Sequence, residues 1–291
     1  MSHLHIAAAD SSDVPEWAVV PRRVYLYEDP SAPTLDVRRI ARGIRETTGL
    51  SAGVRREFFL HHPPSDLEAL AADIAATRVT DLHPNLRLTP VPPALVYFER
   101  RRLDTPERGV PGVLYDGFQL QAIYRATLPP AERSTKVTHI AFSSRLLGTF
   151  DDADRRYHAR AVVLGYPALI STTGIVEAPA KPRGFYVAKR GLRIVAADAR
   201  YEALKERFAG RFVDWDDPRL TQVARGYALQ ALFYAITGEP FCDDEDCVLF
   251  NAHWQEELLH AQIESGLLCA RHRKVAEALR ARPDGRRTRP R

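Results

Sequence analysis

"RRVYLYED" (22–29), "LDVRRIARGIRETTG" (35–49) and "AGVRREFFLHH" (52–62) decide the fold class between them. The first and third have strand character. The second spaces Leu35, Ile40 and Ile44 at helical intervals and ends on a glycine, so the chain opens as a βαβ unit. "SDLEALAADIAATRV" (65–79) follows as a helix behind a serine or aspartate cap. The Pro-rich "HPNLRLTPVPPA" (83–94) reads as a loop, "ALVYFERR" (94–101) as a strand and "FQLQAIYRATLP" (118–129) as a helix.

Further strands are expected in "KVTHIAFSSRLLGTF" (136–150) and "HARAVVLGYPALIST" (158–172), and a hairpin pivoting near Gly191 in "GFYVAKRGLRIVAAD" (184–198). The character then turns helical over 200–212, 218–240 and 252–265. The expectation is an α/β (α+β) chain with one mixed sheet followed by a helical C-terminal half. Its parts are a disordered lead (1–21), a single domain (22–275) and a basic tail (276–291) expected to be disordered.

Composition excludes several classes. A hydrophobic fraction of 45% beside 27% charged residues is that of a globular protein, and no apolar run is long enough to span a membrane. The N-terminus lacks the basic start and apolar core of a secretory signal, which points to the cytoplasm. The net charge of +4 is local: residues 280–291 hold six arginines against Asp284 alone. Such a tail is a weak basis for nucleic-acid binding, which is not expected. The hydroxyls at Ser143, Ser144, Ser171, Thr172 and Thr173 lack a G-x-S-x-G setting, and no phosphate or dinucleotide loop is present.

Two patterns carry chemistry. In "NAHWQEELLHAQ" (251–262), His253, Glu256 and His260 fall at i, i+3 and i+7 on one arc of a helix, where they could share a divalent ion. Glu257 would stand beside them as a general base. The alternative is a solvated polar stripe. The second pattern brackets the first: Cys242-x4-Cys247 upstream and Cys269-x2-His272 downstream complete a tetrahedral zinc set. All three cysteines of the chain belong to it. A weaker acidic group, "DDADRRYH" (151–158), is read as a surface turn, and "GIVEAPAKPRGFY" (174–186) as a connecting loop.

This arrangement resembles the archaemetzincins, zinc peptidases of the metzincin clan, in which HExxHxxGxxH is followed at once by C-x4-C-x-M and then CxxC. Cys242 and Cys247 match the first cysteine pair, Leu249 the Met-turn methionine, and Cys269 and His272 the last pair, over an interval two residues longer. The catalytic motif then falls on "ALFYAITGEPF" (231–241). Gly238 matches the glycine, but Ala231, Ala235 and Phe241 replace the histidines and Leu232 the glutamate. The resemblance implies a metzincin-like domain with a structural zinc knuckle (242–272) and a lost catalytic site. Two functions follow from it: a non-catalytic module binding a peptide or protein in the old cleft, or a hydrolase whose zinc has moved to His253, Glu256 and His260.

Overall fold

The computed structural model describes residues 19–81, 90–110, 112–190 and 197–282. Residues 1–18 of the lead, most of the Pro-rich stretch, Gly191 and the final nine residues lie outside that set.

β1 (Arg23–Tyr27), α1 (Val37–Thr48) and β2 (Ala52–Arg55) form the expected βαβ unit, with β1 and β2 parallel. Asp36 caps α1 by accepting from the Arg39 N–H, and Gly49 ends the helix at φ 72°. β2 stops sooner than its apolar run suggests. Glu57 accepts from the Leu60 N–H and turns Phe58–His61 into a short helix, α2. α3 (Leu67–Ala76), α4 (Pro93–Asp104), β3 (Leu114–Asp116) and α5 (Gly117–Thr127) lead into β4 (Val137–Ser143) and β5 (Leu146–Asp151). β6 (Arg156–Arg160), β7 (Val162–Val163) and β8 (Ala168–Ser171) complete the strands.

The main sheet has the order β2-β1-β4-β8-β7, parallel except for the antiparallel edge strand β7. A second sheet, β3-β5-β6, was not expected from the sequence. The helical half comprises α6 (Thr172–Glu177), α7 (Arg183–Arg190), α8 (Ala197–Arg207), α9 (Leu220–Thr237), α10 (Gln255–Leu259) and α11 (Ala270–Ala281), with a π-helical turn at His260–Ser265. α11 carries helical order five residues past the expected start of the tail at 276.

Alternation along the strands sorts the core into two layers. Val24, Leu26, Ile140, Phe142 and Ile170 pack against α1 and α9 on one face, while Tyr27, Ala141 and Leu169 meet α2, α3 and α5 on the other. No helix among the described residues is long and apolar enough to cross a membrane.

Two expected strands are helices. "ALVYFERR" belongs to α4, which starts at Pro93 where a missing N–H costs nothing. Its buried positions are Glu99, Arg102 and Leu103, so its inward face is mostly charged and escapes a hydropathy pattern. Arg145 satisfies Glu99 at 2.9 Å, and Arg102 donates to Ser144 at 2.8 Å. The expected hairpin near Gly191 begins instead as α7, anchored by buried Phe185 in a small aromatic cluster with Phe208 and Phe212.

A polar network sits inside the second layer. Tyr27 Oη lies 2.9 Å from His62 Nε2 and 2.8 Å from His139 Nδ1, and accepts from Arg55, which also forks onto Glu132. Burial holds both imidazoles well below their ordinary value, at about 4. The unfolded chain therefore binds more protons than the folded one between about pH 6.5 and 4, and stability falls as pH drops through that window. Urea unfolding at pH 5 against pH 7.5 should show a loss of a few kcal/mol, and His139→Gln should flatten the dependence by about a third, because His272 is lowered to the same extent. An unchanged slope in that variant would remove His139 from the effect.

Candidate metal centre and cleft

α9 ends at Gly238, whose φ of 71° lets the chain turn out of the helix toward Cys242. Cys242 N–H bonds Leu249 O at 3.0 Å, and Val248 N–H bonds Leu267 O at 2.7 Å, so the segments at 242–250 and 267–269 lie side by side. Cys269 occupies the N-cap of α11, and His272 lies in that helix's first turn. Local turns and one helix start thus bring together residues far apart in sequence.

The four donor atoms of Cys242, Cys247, Cys269 and His272 lie within 4.8 Å of one another. Cys242 Sγ is 3.9 Å from Cys269 Sγ, and His272 Nδ1 is 3.5 Å from Cys247 Sγ and 3.1 Å from Cys269 Sγ. Zinc bonds of about 2.3 Å to sulfur and about 2.0 Å to nitrogen imply tetrahedral edges of roughly 3.5–3.8 Å. The donor set and its spacing fit such an ion. Burial raises the Cys242 thiol and pushes the Cys247 thiol up to about 12, while burial and Arg271 lower His272 to about 4. The imidazole is therefore in the neutral form that binds metals, and loading the thiols would release protons. Phe233 of α9 packs edge-on against the His272 ring at 5.6 Å and closes the inner side.

The 251–262 stripe is arranged differently. The helix starts at Gln255, which leaves His253 on the extended segment before it. Glu257 Oε2 accepts from the His253 and Trp254 N–H groups at 2.8 and 3.0 Å, a capping role that occupies the expected base. Glu256 is held by Arg211, with Nε at 3.1 Å. At His260 the chain passes into the wider π turn. There Nδ1 meets Glu264 at 2.9 Å and Nε2 meets Asp246 at 2.8 Å, and these carboxylates raise the imidazole's pKa. His253, Glu256 and His260 thus face different partners and do not form one of the metal-competent groups among the described residues. The other such group is Asp151, Asp154 and His158, on the β5–β6 turn. There His158 Nε2 lies 2.6 Å from Asp154.

A cleft of about 740 Å³ opens beside α9. Tyr227, Gln230 and Tyr234 of α9 line it at i, i+3 and i+7, with β6–β7 residues Ala159–Val163, Phe241 and His253 around them. The positions where the resemblance places metal ligands fall out of line: Ala231 is buried in the core and Ala235 faces a neighbouring pocket of about 330 Å³. Phe241 alone of the three reaches the cleft. Gln230 Nε2 donates to Phe250 O at 2.9 Å, whereas its buried Oε1 has no partner among the described residues. Sequence reasoning missed these three floor residues. Their shared helical interval was visible, but their neutral side chains resemble core.

Residues 20–279 match the model of the Probable metallopeptidase family (DUF6775). The chain is also similar to the crystal structure of archaemetzincin from Methanopyrus kandleri. It is 12% identical to it over 92% of this chain and 99% of that one, with a TM-score of 0.43. No curated protein matches. Because the family match runs almost the whole length of the described fold, the chain belongs to this probable metallopeptidase family.

Proposed function

We propose that this chain is a zinc-stabilised member of its family that holds an extended peptide in the cleft and does not hydrolyse it through the family's usual motif. One observation carries the reading: none of Cys242, Cys247, Cys269 and His272 lines the cleft, and the helix flooring it offers Tyr227, Gln230 and Tyr234. Tyrosines and a neutral amide recognise; they make a poor zinc set. Zinc at the cysteine frame would have four protein donors and no position for water, so its contribution is to tie 242–250 and 267–269 to α11.

Peptide recognition rests on two features. The edge strand β7 pairs only with β8 within its sheet and lines the cleft, so an added extended segment can bond to its open side. The second is the cleft floor, where Tyr227, Gln230 and Tyr234 of α9 line the groove.

Elemental analysis of protein prepared without chelator should give one zinc per chain. Cys242→Ala should abolish it and lower Tm by about 10 °C or more. A second zinc lost in the His253→Ala/His260→Ala double variant would replace this reading with a relocated hydrolase site. In equilibrium binding to fluorescent casein fragments, Tyr234→Ala should weaken affinity about tenfold, the cost of losing an aromatic wall of the cleft. Zinc-dependent casein cleavage by the wild-type chain would refute the non-catalytic part.

A further inference from the structure

α1 and α11 lie far apart in sequence but pack together: Arg280 Nη1 donates to Thr47 O at 3.0 Å, and the Arg280 backbone sits against Gly49. The outward residues of this helix pair include Arg38, Arg39 and Arg42 on α1 and Arg273, Lys274 and Arg280 on α11, against only Glu46 and Glu277 of opposite sign. None of these six cations makes an ion pair among the described residues. The same field reaches Arg225 of α9, whose pKa is lowered by burial and then by Arg39. The exposed sides of these two packed helices thus carry six cations without an ion pair among the described residues, and Arg286, Arg287, Arg289 and Arg291 follow α11 in the sequence.

We infer that the α1–α11 face binds the phosphate backbone of nucleic acid without reading its sequence. Five of the six cations are arginines, whose planar forks suit phosphate oxygens. Each helix is about 18 Å long, a span over which duplex DNA carries about ten phosphate charges. A membrane surface fits less well. Helices that lie on bilayers bury apolar side chains beside their cations, and none of the large exposed apolar residues lies on α1 or α11. The face is separate from the cleft, so the inference does not depend on the proposed peptide site.

The test uses the full chain and a fluorescent mixed-sequence DNA duplex, followed by anisotropy between about 50 and 200 mM salt. Arg38→Glu/Arg42→Glu/Lys274→Glu should weaken binding at least thirtyfold and lower the salt slope by roughly three, while zinc content and melting stay those of wild type. A chain truncated after Arg282 should keep most of the affinity. Equal binding by the triple variant, loss of binding on truncation alone, or no measurable binding by wild type would each overturn the inference. Tighter binding to phosphatidylserine-containing vesicles than to DNA, lost in the same triple variant, would assign the face to membranes instead.

Discussion

The rest of the structure depends on the burial of α9. Most residues from Leu220 to Ile236 are buried, and the helix fills the space between the main sheet, α1 and the π turn. A helix with so little exposed surface is stable only when surrounded. Its environment is close enough that Gly226 lies against the Gln262 side chain, where a β-carbon would approach within 2.4 Å. Of its polar side chains, Tyr227, Gln230 and Tyr234 line the cleft, while Gln222 and Arg225 bond carbonyls at the π turn and Gly266.

From the end of that helix the chain has one route. Gly238 reverses it, Cys242 starts the segment that pairs with 267–269, and Cys269 opens α11. The thiol–imidazole cluster therefore joins the last turn of the fold's central helix to the first turn of its last one. Ionising thiols so close together and away from water is unfavourable without a cation, the direction in which Cys242 and Cys247 are shifted. Beyond that junction α11 packs beside α1.

The family match covers 20–279, and the archaemetzincin resemblance would set its ligand positions on α9 and the turn that follows. At those places the chain carries alanine and phenylalanine, and Ala231 has turned into the core. Shape and chemistry are encoded separately: packing keeps the helix and the cleft, whereas a few side chains determine whether metal can be held there.

The sequence by itself determined the βαβ opening, the helical second half and the four residues of the cysteine frame. Apolar period and ligand type are properties that a residue carries with it. Only the tertiary structure decided the rest. α4 was hidden because Glu99 and Arg102 are buried, and charges can be buried only where Arg145, Tyr115 and Ser144 meet them. The His253, Glu256 and His260 arc is broken because the helix begins three residues later than expected and widens at His260; neither change leaves a mark in residue spacing. The cleft floor and the paired basic helices escaped for a common reason. Each is made by elements brought together across the chain, and proximity of that kind is set by packing of the whole core rather than by any local pattern.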